Sequence, residues 1–156
     1  MKTEKGTEQI IYSSFDRIDA RESDYLYIAH SQVPNTGKGL YTVIPIWKGE
    51  IISFFKGELL SRREANKRAK KGHNKYFINM PDGSTMDSMH VKCFARYAND
   101  AEGFVKNKFK TNSVITLDDN DKVCLVAKKY IKAGEEIFCR YGKKYWMQFE
   151  KEINRV

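Results

Sequence analysis

Two stretches of the chain carry the same order of residue types: Ile46-Trp47-Lys48-Gly49-Glu50-Ile51-Ile52-Ser53-Phe54 and Ile131-Lys132-Ala133-Gly134-Glu135-Glu136-Ile137-Phe138. Each sets a Gly-Glu turn in front of a short apolar run. Glycine reaches backbone conformations that a Cβ forbids, and an apolar run bounded by such turns reads as a strand. The second stretch continues as Cys139-Arg140-Tyr141-Gly142-Lys143-Lys144-Tyr145-Trp146, so its strand ends in Tyr-Gly with basic residues and a Tyr-Trp pair behind it. A strand of that composition is not pure surface, which makes Tyr141 a candidate working residue. One pair of similar corners is too little to define a repeat.

The other segments are equally short. Up to about Asp24 the chain is polar, with a small apolar cluster at Ile10-Ile11-Tyr12, and reads as an arm or edge. Tyr25 to Ala29 reads as a strand, and Asn35-Thr36-Gly37-Lys38-Gly39-Leu40-Tyr41-Thr42-Val43 as a turn running into another. The G-x-G pair lets the backbone lie close to a ligand. A plain tight turn is its default meaning, and without a third glycine or a following helix it argues against a dinucleotide fold. Ser61-Arg62-Arg63-Glu64 is a capping box that predicts a helix to about Lys71, stopping at Gly72. Its charges, Arg62, Arg63, Lys67, Arg68, Lys70 and Lys71, form a solvated face, with nucleic-acid contact or a nuclear import signal as the alternative.

Lys75 to Met80 and Ser84 to Asp87 make a hairpin across Pro81-Asp82-Gly83. Ser88 to Ala95 reads as a short helix. Arg96-Tyr97-Ala98-Asn99-Asp100-Ala101 follows, then a Lys-rich loop through Lys110. Asn112 to Leu117 and Lys122 to Ala127 pair across Asp118-Asp119-Asn120-Asp121, a turn that lacks the loop length and terminal Glu of a calcium hand. Tyr145 to Ile153 reads as a short helix with Trp146, Phe149 and Ile153 on one face. The expected class is mainly β with few short helices.

Composition limits the function. The 156 residues fit one domain, and 41% hydrophobic with 13% aromatic content argues for a packed core rather than disorder. Lys+Arg 28 against Asp+Glu 20 gives +8, which suits an anionic partner without choosing one. Cys93, Cys124 and Cys139 include no C-x-x-C, which argues against a disulfide framework or cysteine-rich zinc cluster and for a reducing compartment. His30, His73 and His90 show no metal spacing, so no metal is expected. No apolar run approaches a membrane span and Met1 to Glu8 has no signal-peptide core, so the expectation is a soluble intracellular protein.

Three motifs fall in one order: Gly37-Lys38-Gly39-Leu40, then Arg96-Tyr97-Ala98-Asn99, then Gly134-Glu135-Glu136-Ile137 through Tyr141-Gly142. In that order the chain resembles the SET domain, the lysine methyltransferase family that uses S-adenosylmethionine, over roughly Tyr25 to Trp146. The resemblance implies a SET-domain β-fold of small curved sheets with a C-terminal pseudoknot, in which the Arg96–Asn99 segment and the Tyr141 strand cross to form the active site. It divides the chain into an arm over 1–24, a SET domain over 25–146 and a helical tail over 147–156 that closes the site. It carries Lys38, Gly39 and Leu40 to the loop along the cofactor, and Arg96, Asn99 and Asp100 to the motif that holds the cofactor's amino-acid end. Tyr141 matches the catalytic tyrosine, at the cofactor's methyl group. Trp146 stands where relatives pack an aromatic on the adenine, Tyr76 matches a wall of the lysine channel, and Cys139 a position that limits how many methyl groups fit. Two departures stand out. Asn99-Asp100-Ala101 replaces the family's Asn-His-Ser, and the cysteine-rich zinc flanks are absent.

The implied chemistry is physically coherent. A free lysine amine, with a pKa of about 10.4, is protonated and not nucleophilic at neutral pH. An aromatic-walled channel and a nearby sulfonium both disfavour the charged form. The neutral amine then needs only alignment, which supplies up to roughly 7–11 kcal/mol in favourable cases. Tyr141 is accordingly assigned to orientation and electrostatics, and Glu135 to Phe138 to scaffold. The implied partner is a histone tail or another basic peptide met through an acidic groove, with Asp82, Asp87, Asp100 and Glu102 as candidates, in a nuclear or chromatin setting. The basic surface leaves weak nucleic-acid contact open, as it leaves open the pairing of two chains. The competing reading is a catalytically silent SET-like module that binds peptide or nucleic acid. A small basic nucleic-acid-binding domain would need exposed aromatics interleaved with the basic helix, and Ser61 to Lys71 contains none. Cys139 is smaller than the Phe or Tyr common at its position, so the pocket is expected to admit more than one methyl group. Mass spectrometry of a lysine peptide under excess cofactor checks this, and a product that halts at monomethyl-lysine contradicts it.

Overall fold

The computed structural model describes residues 15–101 and 108–140. Tyr141, Trp146 and the expected helix over Tyr145 to Ile153 lie outside the described residues, as do Glu102 and most of the arm.

The Gly-Glu corners explain much of the architecture. Gly49 and Gly134 both take positive φ, 90° and 86°, the region open to glycine. Each following glutamate turns back on its corner: Glu50 Oε1 accepts from the Trp47 N–H at 2.7 Å, and Glu135 Oε1 from the Lys132 N–H at 2.6 Å. The two corners also pair with each other. Ile46 and Ile131 form an isolated antiparallel bridge with both backbone bonds at 2.8 Å, and both side chains are fully buried.

The strands build three small sheets, and the two corners each feed one strand, in the first and in the second. The first has the order β1 (Asp16–Arg17), β4 (Glu50–Phe54), β9 (Val123–Ala127), β8 (Ser113–Leu117). The second joins β2 (Leu26–His30), β3 (Lys38–Thr42) and β10 (Glu136–Ile137), with β3 in the middle. The third joins β5 (Glu58–Leu60), β6 (Phe77–Asn79) and β7 (Thr85–Asp87), with β7 in the middle. Pairing is antiparallel except between β1 and β4. Leu26, Leu40, Ile52, Ile78, Leu125 and Ile137 from all three sheets meet in one buried cluster. This is the mainly β class with few short helices that the sequence led one to expect.

Helices differ in detail from expectation. A short helix, α1 (Glu22–Tyr25), precedes β2, so Tyr25 ends a helix instead of starting a strand. Its Glu22 accepts from Ser53 Oγ at 2.7 Å and the Phe54 N–H at 2.9 Å, beside the register shift between Ile51 and Ser53. Ser88 to Ala95 is not the expected helix. Asp87 Oδ1 takes the Met89 N–H, a local side-chain bond that competes with a helical ladder, and Ser88 Oγ donates to the distant Lys56 carbonyl. A 3₁₀ turn follows only at Ala95–Tyr97.

The helix α2 (Arg62–Lys70) forms as its capping box predicts, with Ser61 Oγ accepting from the Glu64 N–H at 3.2 Å and Glu64 Oε1 from the Ser61 N–H at 3.1 Å. Its basic face is not wholly solvated. Arg68 donates to Glu58 at 2.8 Å and to the buried Asp87 at 2.7 Å, which pins the helix to the third sheet. The same hydrogen bond from Arg68 holds the Glu58 carboxyl below the usual range. Ser61→Ala is expected to remove about 1 kcal/mol, a fall of about 2–4 °C in melting temperature for a chain of this size, measured by calorimetry.

Candidate active site

The end of the second sheet is where three distant segments meet. β10 lies against β3 with Ile137 opposite Leu40 and Glu136 opposite Tyr41. On its other side stands Asn112, whose amide spans the strand: Nδ2 donates to the Glu136 carbonyl at 3.0 Å, and Oδ1 accepts from the Phe138 N–H at 2.8 Å. Ser113 adds Oγ and N–H bonds to the Phe138 carbonyl at 2.7 and 3.0 Å. One residue further, Phe138 forms a parallel bridge with Asn99, and the Cys139 N–H donates to the Asn99 carbonyl at 2.9 Å. The Arg96–Asn99 segment and the strand leading to Tyr141 therefore cross, as the fold expectation required.

Asn99 also reaches the glycine turn. Its Nδ2 donates to the Lys38 carbonyl at 2.8 Å, and the residue is buried. Lys38, Gly39, Leu40, Asn99, Asp100 and Cys139 are thus gathered within one crossing. They offer different things to it. Gly37, at φ 75°, has open space where a Cβ would point, so the turn presents bare backbone outward. The Leu40 side chain is fully buried in the core, and its contribution is to anchor the turn. Cys139 is also fully buried, with its thiol 3.6 Å from the Ala98 carbonyl.

Arg96 and Tyr76 form a neighbouring group. The Arg96 guanidinium lies 4.7 Å from the Tyr76 ring centre and 4.8 Å from that of Tyr97. Its Nη1 donates to the Ser88 and Met89 carbonyls at 2.6 and 2.9 Å, and Nη2 to the Tyr97 hydroxyl at 2.7 Å. Arg96 thereby shapes the Ser88–Met89 turn and backs Tyr76, while its buried Nε has no hydrogen-bond partner among the described residues. Tyr76 sits in the turn just before β6. Among the described residues no cluster of His, Cys, Asp and Glu could hold a metal ion. Of the acidic candidates for a peptide groove, Asp87 is buried and bonded to Arg68, which removes it from any surface role.

Glu136 organises the crossing, and the sequence marks it only as scaffold. At 1% exposure, it accepts from Ser31 Oγ at 2.7 Å, from the Gln32 N–H at 2.8 Å and from the Tyr41 hydroxyl at 3.2 Å. The single Tyr41 proton goes mainly to the His30 carbonyl, at 2.6 Å. Burial, with the Glu136 charge next, pushes the Tyr41 hydroxyl up to about 12. The Glu136 carboxyl occupies the space where a Cβ on Gly39 would be. The second of two adjacent glutamates inside an apolar strand, on the face opposite Ile137, was the available signal.

A cavity of about 720 Å³ lies elsewhere, lined by Arg17, Tyr25, Phe54, Met80, Met86 and Asp121 among others, and by none of the catalytic, cofactor-binding or substrate-binding residues expected from the sequence.

Comparison with known proteins adds an independent line. The SET domain family model matches residues 37–142. Histone-lysine N-methyltransferase EZ2 of Zea mays is 27% identical over 111 residues, covering 68% of this chain and 12% of that protein. Histone-lysine N-methyltransferase EZ1 of Zea mays is 29% identical over 112 residues, covering 68% and 11%. The chain therefore spans only about an eighth of the length of these curated relatives. Among solved structures, a humanized mutant of the Chaetomium thermophilum Polycomb Repressive Complex 2 bound to the inhibitor GSK126 superposes with a TM-score of 0.63 at 26% identity, over 76% of this chain and 15% of that one. The same complex (ctPRC2), in an autoinhibited conformation bound to S-adenosylmethionine, gives 0.63 at 25% identity, over 84% and 17%.

The packing around Glu136 yields a stability test. Gly39→Ala forces a methyl group into a carboxyl held by several bonds, and overpacking of this kind costs about 1–3 kcal/mol. Glu136→Ala relieves the clash but strands the Ser31 and Gln32 donors, at about 1–3 kcal/mol for each unsatisfied group. Urea denaturation measures both. A Gly39→Ala chain as stable as the parent contradicts the close approach.

Proposed function

The chain belongs to the SET-domain family, and from that premise we propose that it is an S-adenosylmethionine-dependent protein-lysine N-methyltransferase acting on a histone tail or another basic peptide. The observation that carries the proposal is the crossing itself. Asn99 bonds to the Lys38 carbonyl and to the Cys139 N–H, so the glycine turn, the Arg96–Asn99 segment and the strand before Tyr141 share one place. The names of the relatives, and a structural neighbour bound to S-adenosylmethionine, support the same reaction class. The Polycomb neighbours also favour a histone substrate, a chromatin setting and work within an assembly.

The residues present suit this methyl donor. The Gly37–Leu40 turn, bare of side chain at Gly37, offers backbone to the cofactor, and Asn99 and Asp100 border it. The bound cofactor supplies a methyl group on a sulfonium centre. The chain's own residues bind, orient and desolvate. Tyr76, stacked on the Arg96 cation, walls the channel for the substrate lysine. Tyr141 directs the deprotonated lysine amine in line with the methyl group, by orientation rather than as a strong base. Trp146 covers the adenine, and the tail over 147–156 closes the site. Cys139 sets the width of the pocket. Asp100 stands where the family has histidine and acts through its backbone.

Radiolabelled S-adenosylmethionine with histones and a peptide array tests the activity. If no methyl is transferred and calorimetry detects no cofactor binding, the chain is a silent SET-like module instead. Within the enzyme, Tyr141→Phe is expected to lower kcat about a hundredfold, the penalty of a misaligned reactant, with cofactor affinity retained. A fully active Tyr141→Phe chain refutes the role given to that hydroxyl.

A further inference from the structure

The pairing of the two Gly-Glu corners has a consequence on the outside of the molecule. The bridge between Ile46 and Ile131 sets Trp47 opposite Tyr130, turned away from the buried isoleucines. Their rings touch, with centres 4.5 Å apart and planes at 43°, yet Trp47 remains 61% exposed and Tyr130 43%. Large aromatics are seldom left so open without a use, and two in contact form a continuous, angled patch of ring faces rather than a scattered exposure. Lysines surround them. Lys48 follows Trp47, Lys128 and Lys129 precede Tyr130, and Lys132 lies just beyond it, all exposed. Among the described residues none of these four forms an ion pair. The nearest carboxylates in sequence, Glu50 and Glu135, are turned back onto the Trp47 and Lys132 N–H groups.

A ligand for this corner must combine a planar π-face with repeated negative charge. Stacking on an aromatic platform beside a basic track is the way sequence-tolerant proteins hold unpaired nucleic acid. A duplex keeps its bases stacked inside and would use only the lysines. A membrane surface is met by an amphipathic helix with an apolar face, not by two rings on a paired β corner. We infer that the Trp47–Tyr130 corner is a binding site for single-stranded nucleic acid, one or two bases stacking on the rings while Lys48, Lys128, Lys129 and Lys132 follow the phosphates.

The site is separate from the proposed methyltransferase centre and does not depend on it. β3 runs from Lys38 at the crossing to Thr42 near the corner, about 13 Å at ~3.3 Å per residue. Nucleic acid on the corner leaves the cofactor turn open, so a strand bound there tethers the protein while a peptide is processed.

Fluorescence anisotropy of the full chain with labelled twelve-nucleotide oligo-U and oligo-dT tests this, with a duplex of equal length as comparison. Single strands are expected to bind more tightly than duplex. The logarithm of affinity is expected to fall with log salt at a slope near −2.8, about 0.7 for each of four phosphate contacts. Trp47→Ala/Tyr130→Ala is expected to weaken single-strand binding at least fivefold, about 1 kcal/mol at 1.4 kcal/mol per tenfold, with duplex binding unchanged. Trp47→Phe/Tyr130→Phe keeps ring faces and is expected to restore most of it. The oligo-U and oligo-dT arms decide between RNA and DNA. Cofactor affinity, read by calorimetry, and the melting temperature of the variants are controls for folding. Equal binding of single strand and duplex, or an alanine variant that binds single strands as the parent does, overturns the proposal. So does loss of affinity for anionic phosphatidylserine vesicles in place of oligonucleotides.

Discussion

Glu136 is a carboxyl group buried in a protein whose surface is dominated by cations, and most of the candidate site is arranged to make that burial tolerable. Polar groups taken out of water without partners are penalised by about 1–3 kcal/mol in mutational data. Glu136 avoids this by drawing in Ser31, Gln32 and Tyr41 from either side of the glycine turn. The turn therefore cannot drift from β10. Gly39 is the residue at closest approach because no other type leaves room for the carboxyl. One buried acid thus fixes the distance between two motifs that lie about a hundred residues apart.

The other side of β10 is held by amides in place of charge. Asn112 spans the strand from Glu136 to Phe138 with both ends of its side chain, and Asn99 joins the next residues to the Lys38 carbonyl. Side-chain amides suit this work, since each carries donor and acceptor and can replace a missing ladder bond on both faces. Three distant chain segments are thereby joined at the proposed active site. Arg96 extends the rigid region outward. Its stacking between Tyr76 and Tyr97 makes the proposed channel wall continuous with the Ser88–Met89 turn.

Legibility followed the range of the interactions. The capping box of α2, the two hairpins and the Gly-Glu corners were readable because each depends on bonds within a few residues, as at Ser61 and Glu64. Ser88 to Ala95 was misread as a helix because Ser88 bonds to the carbonyl of Lys56, 32 residues earlier, which no local pattern announces. Arg68 belonged by composition to a solvated stripe, and its partners Glu58 and Asp87 came from two other strands. Glu136 was visible as an oddity in an apolar strand, but not the donors that receive it. The aromatic pair was hidden in a similar way, since Trp47 and Tyr130 become neighbours only after both corners have folded.

The order of three motifs along the chain was enough to mark the resemblance to the family, which the family model over residues 37–142 bears out. Periodicity and turn chemistry likewise determined that short strands would dominate, since both act over a few residues. Tertiary structure alone decided which side chains meet: Asn99 with Lys38, Glu136 with Ser31, Trp47 with Tyr130. The physical reason is that such contacts depend on register and on the exclusion of water from a shared interior. Neither is a property of any segment until the others have packed against it.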